Sequence, residues 1–260
     1  MLPFLTIAVA IYAAGAGVIQ TAPDPIPFRV VGSSGIEVRV DIGAQQDQAR
    51  SLRRATVLTA AGAVAARLAR TERTCEKLCA GTTEECHFEA VLRAAAPADG
   101  AVAVLPGAHE IRDVRPIEAG ESERVVSDEE WIQAGPITAT SGTYRWTRFP
   151  GKGVYLASEE HGHDYMGVAL DRCTVNQVGP FTRLVCEFAE VLYDGREGIA
   201  LSIPDYGTPI TEPLIRFQLG DKDAVVLRLG LKAEIATALL INEDGRWRLH
   251  YRRSDYAHIC

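Results

Sequence analysis

From residue 101 onward the chain is a succession of short apolar or alternating runs between turn residues, and this pattern constrains the fold more than any other feature. The runs are AVAVL (101–105), TYRWTR (143–148), GVYLAS (153–158), YMGVAL (165–170), RLVCEFAEVLY (183–193), GIALSI (198–203), LIRFQL (214–219), AVVLRLGL (224–231), IATALLI (235–241) and RWRLHYR (246–252). Such runs, rich in β-branched, aromatic and aliphatic residues and bounded by Gly, Pro, Asn or Asp, read as strands. So many short strands cannot leave their edges open to water, so an antiparallel meander of this kind must close as a barrel or pack as a sandwich. The strongest hairpin signal lies at the end, where IATALLI and RWRLHYR flank Asn242-Glu243-Asp244-Gly245 and Asp-Gly suits a tight turn. In RWRLHYR a period of two sends Trp247, Leu249 and Tyr251 to one face, and Arg246, Arg248, His250 and Arg252 to the other.

The N-terminal part reads differently. FRVVGSSGIEVRVDI (28–42) suggests two short strands around Gly-Ser-Ser-Gly, because Ile36, Val38 and Val40 alternate with charged residues. A helix is expected from about residue 45 to residue 73, where Ala and Arg dominate. Val57, Ala61, Val64 and Leu68 recur at steps of four, three and four, which makes one apolar stripe. Cys75 and Cys79 extend that stripe and should face the core side. CHFEAVLRAA (86–95) fits a strand or a helix equally well. AAAPADG (94–100) marks a boundary, and the acidic IEAGESERVVSDEEW (117–131) is a solvated interruption of the strands. The organisation expected is a leader or anchor over residues 1–22, an N-terminal α/β segment over 23–97 and an antiparallel β-rich domain over 98–260. The fold class expected is therefore α+β, a helical segment followed by a β-meander closed as a barrel or sandwich.

The first nineteen residues, MLPFLTIAVAIYAAGAGVI, are an almost unbroken apolar run with no charged side chain before Asp24. The small residues Ala14, Gly15 and Ala16 suit a signal peptidase, and the Pro-rich TAPDPIPF that follows stops a helix. A cleaved signal peptide is the expectation, with an uncleaved anchor as its rival. Export to a periplasmic or extracellular space brings an oxidising environment, in which six cysteines, an even number, form disulfides. Cys75, Cys79 and Cys86 fall within twelve positions and precede His87, but only the Cys75–Cys79 spacing fits a structural zinc module. Disulfides are the better reading. Cys173 and Cys186 are symmetric about Gly179-Pro180, so a hairpin turning there places them opposite each other. AGTTEE (80–85) turns the chain, and if CHFEAVLRAA is a second helix returning antiparallel, Cys75 lies opposite Cys86, which leaves Cys79 for the distant Cys260.

Composition narrows function only by exclusion. The formal charge of -7 and pI near 5.4 argue against general nucleic-acid binding, and 47% hydrophobic with 23% charged residues is ordinary for a globular chain. No nucleophile elbow, phosphate-binding loop or dinucleotide fingerprint occurs, so no catalytic residue is named and no cofactor is expected. His161 and His163, at i and i+2 in SEEHGHDY, share a face in extended chain and with Asp164 make a candidate metal set, weighed against an ordinary polar loop. The most suggestive surface is basic. Arg228, Arg246, Arg248 and Arg252 are the expected ligand-binding residues, since guanidinium forks match phosphate or carboxylate in pairs. The function expected is that of an exported, disulfide-bonded, non-catalytic protein binding a partner, such as an anionic envelope component, through its β domain. Membrane contact would come only through an uncleaved N-terminus. The rival is an exported hydrolase using a metal near His161 and His163 or dispersed carboxylates.

Overall fold

In the computed structural model the described residues are 26–43, 46–78, 83–118, 124–125, 137–141, 144–149, 153–158, 164–165, 174–186, 189–202, 210–231 and 234–251. They begin with β1 (Phe28–Ser34), β2 (Glu37–Asp41), a 3-10 helix (Gln46–Leu52), β3 (Ala55–Thr59), β4 (Gly62–Leu78), β5 (Thr83–Ala94) and β6 (Ala101–Pro106). There follow β7 (Ile111–Pro116), β8 (Arg124–Val125), β9 (Ile137–Ser141), β10 (Tyr144–Phe149), β11 (Gly153–Ser158), β12 (Asp164–Tyr165), β13 (Thr174–Val178), β14 (Phe181–Cys186), β15 (Ala189–Tyr193) and β16 (Gly198–Ser202). The last four are β17 (Thr211–Leu219), β18 (Lys222–Leu231), β19 (Glu234–Glu243) and β20 (Arg246–Tyr251). Apart from the one 3-10 helix, every regular element among the described residues is a strand.

The α+β class is thereby overturned. The helix expected over 45–73 is replaced by the 3-10 turn and the β3–β4 hairpin, with Thr59 paired to Gly62 across a two-residue turn. Thr59 supplies the turn chemistry: its Oγ1 accepts from the Ala61 N–H at 3.2 Å and donates to the Gly62 carbonyl at 3.0 Å, while Gly62 takes a φ of 147°. Val64, Ala66 and Leu68 pack inward while Ala63, Ala65 and Arg67 lie exposed, a period of two rather than 3.6. Alanine satisfies either period, which is how the stripe misleads. Helix propensity separates ordinary residues by only about 0.7 kcal/mol, whereas burying one large apolar side chain is worth about 2 kcal/mol, so closure of the sheet decides.

Six strands form a closed antiparallel barrel in the order β1-β2-β5-β4-β3-β6, sealed where Phe28 faces Val104 and Arg29 faces Ala103. Its interior holds Phe28, Val38, Val40, Val57, Leu92 and Val104, joined by Ala49 and Leu52 of the 3-10 helix. β6, which begins after residue 97, supplies the closing strand, so the barrel continues into the stretch read from sequence as the start of the β-rich domain. The expected first hairpin is present, with its turn at Gly35-Ile36 and Gly35 at a φ of 56°.

Three open sheets follow, in the orders β12-β11-β10-β9, β16-β15-β14-β13-β8 and β20-β19-β18-β17-β7. In the last, the middle of β18 and β19 is buried on both faces. Ala224, Val226, Leu239 and Ile241 pack on Leu58, Ala103 and Leu105 from the outer wall of the barrel. Their neighbours Val225, Leu227, Ala238 and Leu240 pack the other way, on Phe181, Leu192 and Ala200 of the β16-to-β8 sheet. Burial on both sides is why AVVL and ALLI are continuous apolar runs rather than alternating ones. The β19–β20 hairpin turns at Asp244-Gly245, both at positive φ (53° and 81°), as the Asp-Gly signal requires.

Candidate functional site

The expected basic surface begins on β20. Trp247, Leu249 and Tyr251 pack against the cluster of Phe181, Leu192 and Leu240, with Trp247 meeting Phe181 edge to face at a centroid distance of 4.9 Å. Arg246 and Arg248 are exposed on the opposite face. Residues paired across an antiparallel sheet share a face, and Arg248 pairs with Ile241, which pairs with Ala224. Arg228 lies four residues further along β18, on that same face but about 13 Å away by strand rise. The structure thus puts Arg228 on the expected side without gathering it with Arg246 and Arg248. Arg252 lies outside the described residues.

Carboxylates already contact these cations. Arg228 donates to Glu212, its direct partner on β17, at 2.8 Å. Glu243, opposite Arg246, accepts from Lys222 at 3.0 Å and stands 3.7 Å from the Arg248 guanidinium. The Lys222 hydrogen bond holds the Glu243 carboxyl below its ordinary value, helped by Arg248 and His250, and Glu243 in turn raises Lys222. Asp221 and Asp244 add negative charge beside Lys222. Arg248, 62% exposed, is the loosest member of the group. An anion arriving at this corner therefore competes with Glu243 for Arg248 and Lys222.

A second polar cluster is one that sequence reasoning missed. Glu190 on β15 is buried, 2% exposed, and its carboxylate accepts four hydrogen bonds. Arg183 on β14 grips it in a fork, Nε to Oε2 at 3.1 Å and Nη2 to Oε1 at 2.8 Å, and Thr211 of β17 donates its backbone N–H at 2.7 Å and its hydroxyl at 3.2 Å. Ser202, which faces Glu190 across β15–β16, accepts from the Ile210 N–H at 2.8 Å. The cluster fastens the β16-to-β8 sheet to the first residues of β17, and a carboxylate with its lone pairs occupied suits that holding role. The available signal was an Arg and a Glu spaced seven apart inside the mainly apolar FTRLVCEFAEVL.

The third feature is the β4–β5 ribbon. Cys75 and Cys86 are directly paired and joined as a disulfide, with Cα atoms 4.0 Å apart. This is the pairing expected of two antiparallel helices, reached instead through two antiparallel strands. Cys75 does not face the core: it is exposed, and Cys86 is half-buried. At the ribbon's base, Arg39 lies 2.8 Å from Glu72 and 3.3 Å from Glu89, and Arg70 bonds Glu72 at 2.6 Å, which lowers the Glu72 carboxyl.

Cys79, Cys173 and Cys260 lie outside the described residues, as do His161 and His163. Asp164 opens β12, paired with Ala157. The β13–β14 hairpin does turn at Gly179-Pro180, and its register runs to Thr174 opposite Val185. Among the described residues no group of three His, Cys, Asp or Glu side chains is placed to hold a metal ion. No helix among them is long and apolar enough to cross a membrane.

No family model, curated protein or solved structure matches the chain.

Proposed function

We propose that this chain is an exported, disulfide-bonded protein that acts by binding, with the β20 corner of its central sheet as the contact for an anionic partner. The observation that carries the export reading is the Cys75–Cys86 bond, which sits in an exposed ribbon where a reducing cytosol would have ready access to it. The apolar run over residues 1–19, ending in small residues and proline, agrees with it. For binding, the support is the exposure of Arg246 and Arg248 on the terminal strand, beside Lys222 at the same end of the sheet. Arg228 is already engaged by Glu212, so the contact narrows to Arg246 and Arg248, with Lys222 behind Glu243.

Two measurements test this. Non-reducing peptide mapping of protein taken from its native cells should find Cys75 joined to Cys86, with the chain fractionating outside the cytoplasm; cytoplasmic protein with free thiols would sink the export reading. Replacing Arg246 and Arg248 together by Gln should lower retention on anionic vesicles or acidic polysaccharide at low salt by about tenfold, and salt should weaken the parent's binding likewise. Parent protein that is not retained, or a variant that binds equally, would refute the contact.

A further inference from the structure

The β4–β5 ribbon outgrows the barrel that it helps to form. β3 pairs with β4 only as far as Ala66, and β2 pairs with β5 only as far as Glu89, after which Phe88 exchanges backbone hydrogen bonds with Ile42 and Gly43 at 3.0 and 2.9 Å. From the Thr74–His87 pair outward, the two strands are backbone-paired, among the described residues, only with each other, as far as Leu78 opposite Thr83. A two-stranded ribbon is marginal by itself in water. The cross-strand disulfide lies in this outer part, one pair beyond Thr74–His87.

We propose that Cys75–Cys86 is a thiol–disulfide exchange site whose opening loosens the ribbon and leaves the barrel folded. Its substrate class is a small thiol or dithiol in the compartment where the protein works, and the proposal rests on the disulfide of the reading above. Attack is directed to one sulfur: Cys75 is exposed and Cys86 half-buried, so an incoming thiolate reaches Cys75 Sγ first. A bond forms between the incoming sulfur and Cys75, the Cys75–Cys86 bond breaks, and the electron pair leaves on Cys86 as thiolate. A second thiol then attacks the incoming sulfur, which releases Cys75 as thiolate and an oxidised thiol dimer. The protein gains two electrons and the two small thiols lose them. Arg73, exposed and two residues before Cys75 on the same strand, stands on the face of Cys75 and places positive charge where the thiolate approaches and where the Cys75 thiolate is left.

The consequence stays local because the inner part of the hairpin is held by other means. Ala90, Leu92 and Ala94 of β5 and Ala66 of β4 lie in the barrel core, and β2 remains paired along residues 89–93. Phe88, which packs against that core, marks the point where opening stops. Beyond it the described backbone pairing is that of β4 with β5 alone, the kind of segment from which sub-global opening starts.

The test uses the full chain, purified without reductant and mapped first, so that absence of the bond, which refutes the export reading's disulfide, is separated from a bond that is present but inert. Reduced glutathione is then titrated in, the reaction is quenched by alkylation, and adducts are located by peptide mapping, with a Cys79→Ser, Cys260→Ser chain run alongside to remove internal thiols. The expected result is a glutathione adduct favouring Cys75 over Cys86 by about fivefold or more. Amide exchange at residues 83–87 should rise by about tenfold on reduction while residues 90–93 stay protected. Adducts mainly on Cys86, a bond that yields only when urea unfolds the barrel, or simultaneous loss of protection at 90–93 would each overturn the proposal.

Discussion

Replacing Glu190 by Ala removes the centre of the buried cluster and leaves two kinds of orphan. The Thr211 N–H and hydroxyl lose their acceptor inside the protein, and the Arg183 guanidinium loses its counter-charge. Breaking a buried pair from one side costs about 3–5 kcal/mol, but Arg183 keeps 25% side-chain exposure and water screens part of its charge, so the lower end, about 3 kcal/mol, applies. The reverse change, Arg183→Met, strands a carboxylate only 2% exposed with Thr211 as its remaining donor, and about 4 kcal/mol is expected. Changing both, Glu190→Leu with Arg183→Met, removes both charges and replaces them with apolar volume. That double variant should lose about 2 kcal/mol, far less than the sum of the single changes, since replacing a buried pair by apolar side chains is often close to neutral. Urea unfolding followed by far-UV circular dichroism measures all three, and tryptophan emission adds a local report because Trp247 packs on Phe181 across the same inter-sheet seam. If each single change costs under about 1 kcal/mol, or if the double change costs the full sum, the cluster is not the fastening argued for it.

Further outcomes follow from packing, cross-linking and charge. A Cβ added at Gly230 would lie 2.8 Å from Ser202 Oγ and 3.4 Å from the Ile210 nitrogen, so Gly230→Ala should cost about 1–3 kcal/mol in a urea titration, and Ser202→Gly should relieve part of that overpacking. Replacing Cys75 and Cys86 together by Ala should lower stability by at most about 3 kcal/mol on the chain-entropy model for a span of 11 residues, and by less where fraying of the ribbon relaxes the native state; a larger loss in calorimetry would place the bond inside the global folding unit. The lowered carboxyl of Glu243 contributes stability that is present above its ordinary value near 4.5 and lost as pH falls through the lowered one. Glu243→Gln should therefore flatten the acid limb of the urea midpoint below about pH 5, and an unchanged limb would contradict the coupling to Lys222.

The strands from 174 onward were legible because their side chains state their surroundings: RWRLHYR alternates where one face is wet, AVVL and ALLI are continuous where neither is, and Gly179 and Asp244-Gly245 mark the turns. The N-terminal third was not legible, for a chemical reason. Ala63, Ala65 and Ala66 carry no preference strong enough to separate a period of two from 3.6, and the Thr59 hydroxyl that shapes the turn is not a standard hairpin signal. The Cys75–Cys86 pairing came from spacing alone, but its exposure did not, because solvent access depends on how far β4 and β5 extend beyond their neighbours. For the Arg surface, alternation revealed the face but not the carboxylates on it: Glu212 and Glu243 reach Arg228 and Lys222 only through strand register. Glu190 was hidden because a charged residue in an apolar run reads first as a surface position.

Burial of the middle of β18 and β19 on both faces has a consequence for strand alignment. When one face of a sheet is wet, sliding a strand by one residue turns apolar side chains into water, and that penalty locks the alignment. Sliding β18 by one residue would exchange Val225 and Leu227 for Ala224 and Val226, apolar for apolar, so the penalty in the middle of the strand is small and falls instead on Arg228, which would take the buried place of Leu229. The cross-strand charges also distinguish the two arrangements. Glu212 sits opposite Arg228, and Lys222 reaches Glu243 on the strand beyond. A slip would separate both pairs and would drag the tight turn at Gly220-Asp221 off its glycine. Exposed ion pairs contribute little to overall stability, about 0–1 kcal/mol each, but here they, the Gly220 turn and the exclusion of Arg228 from the core act as alignment marks for a strand whose middle is apolar on both faces.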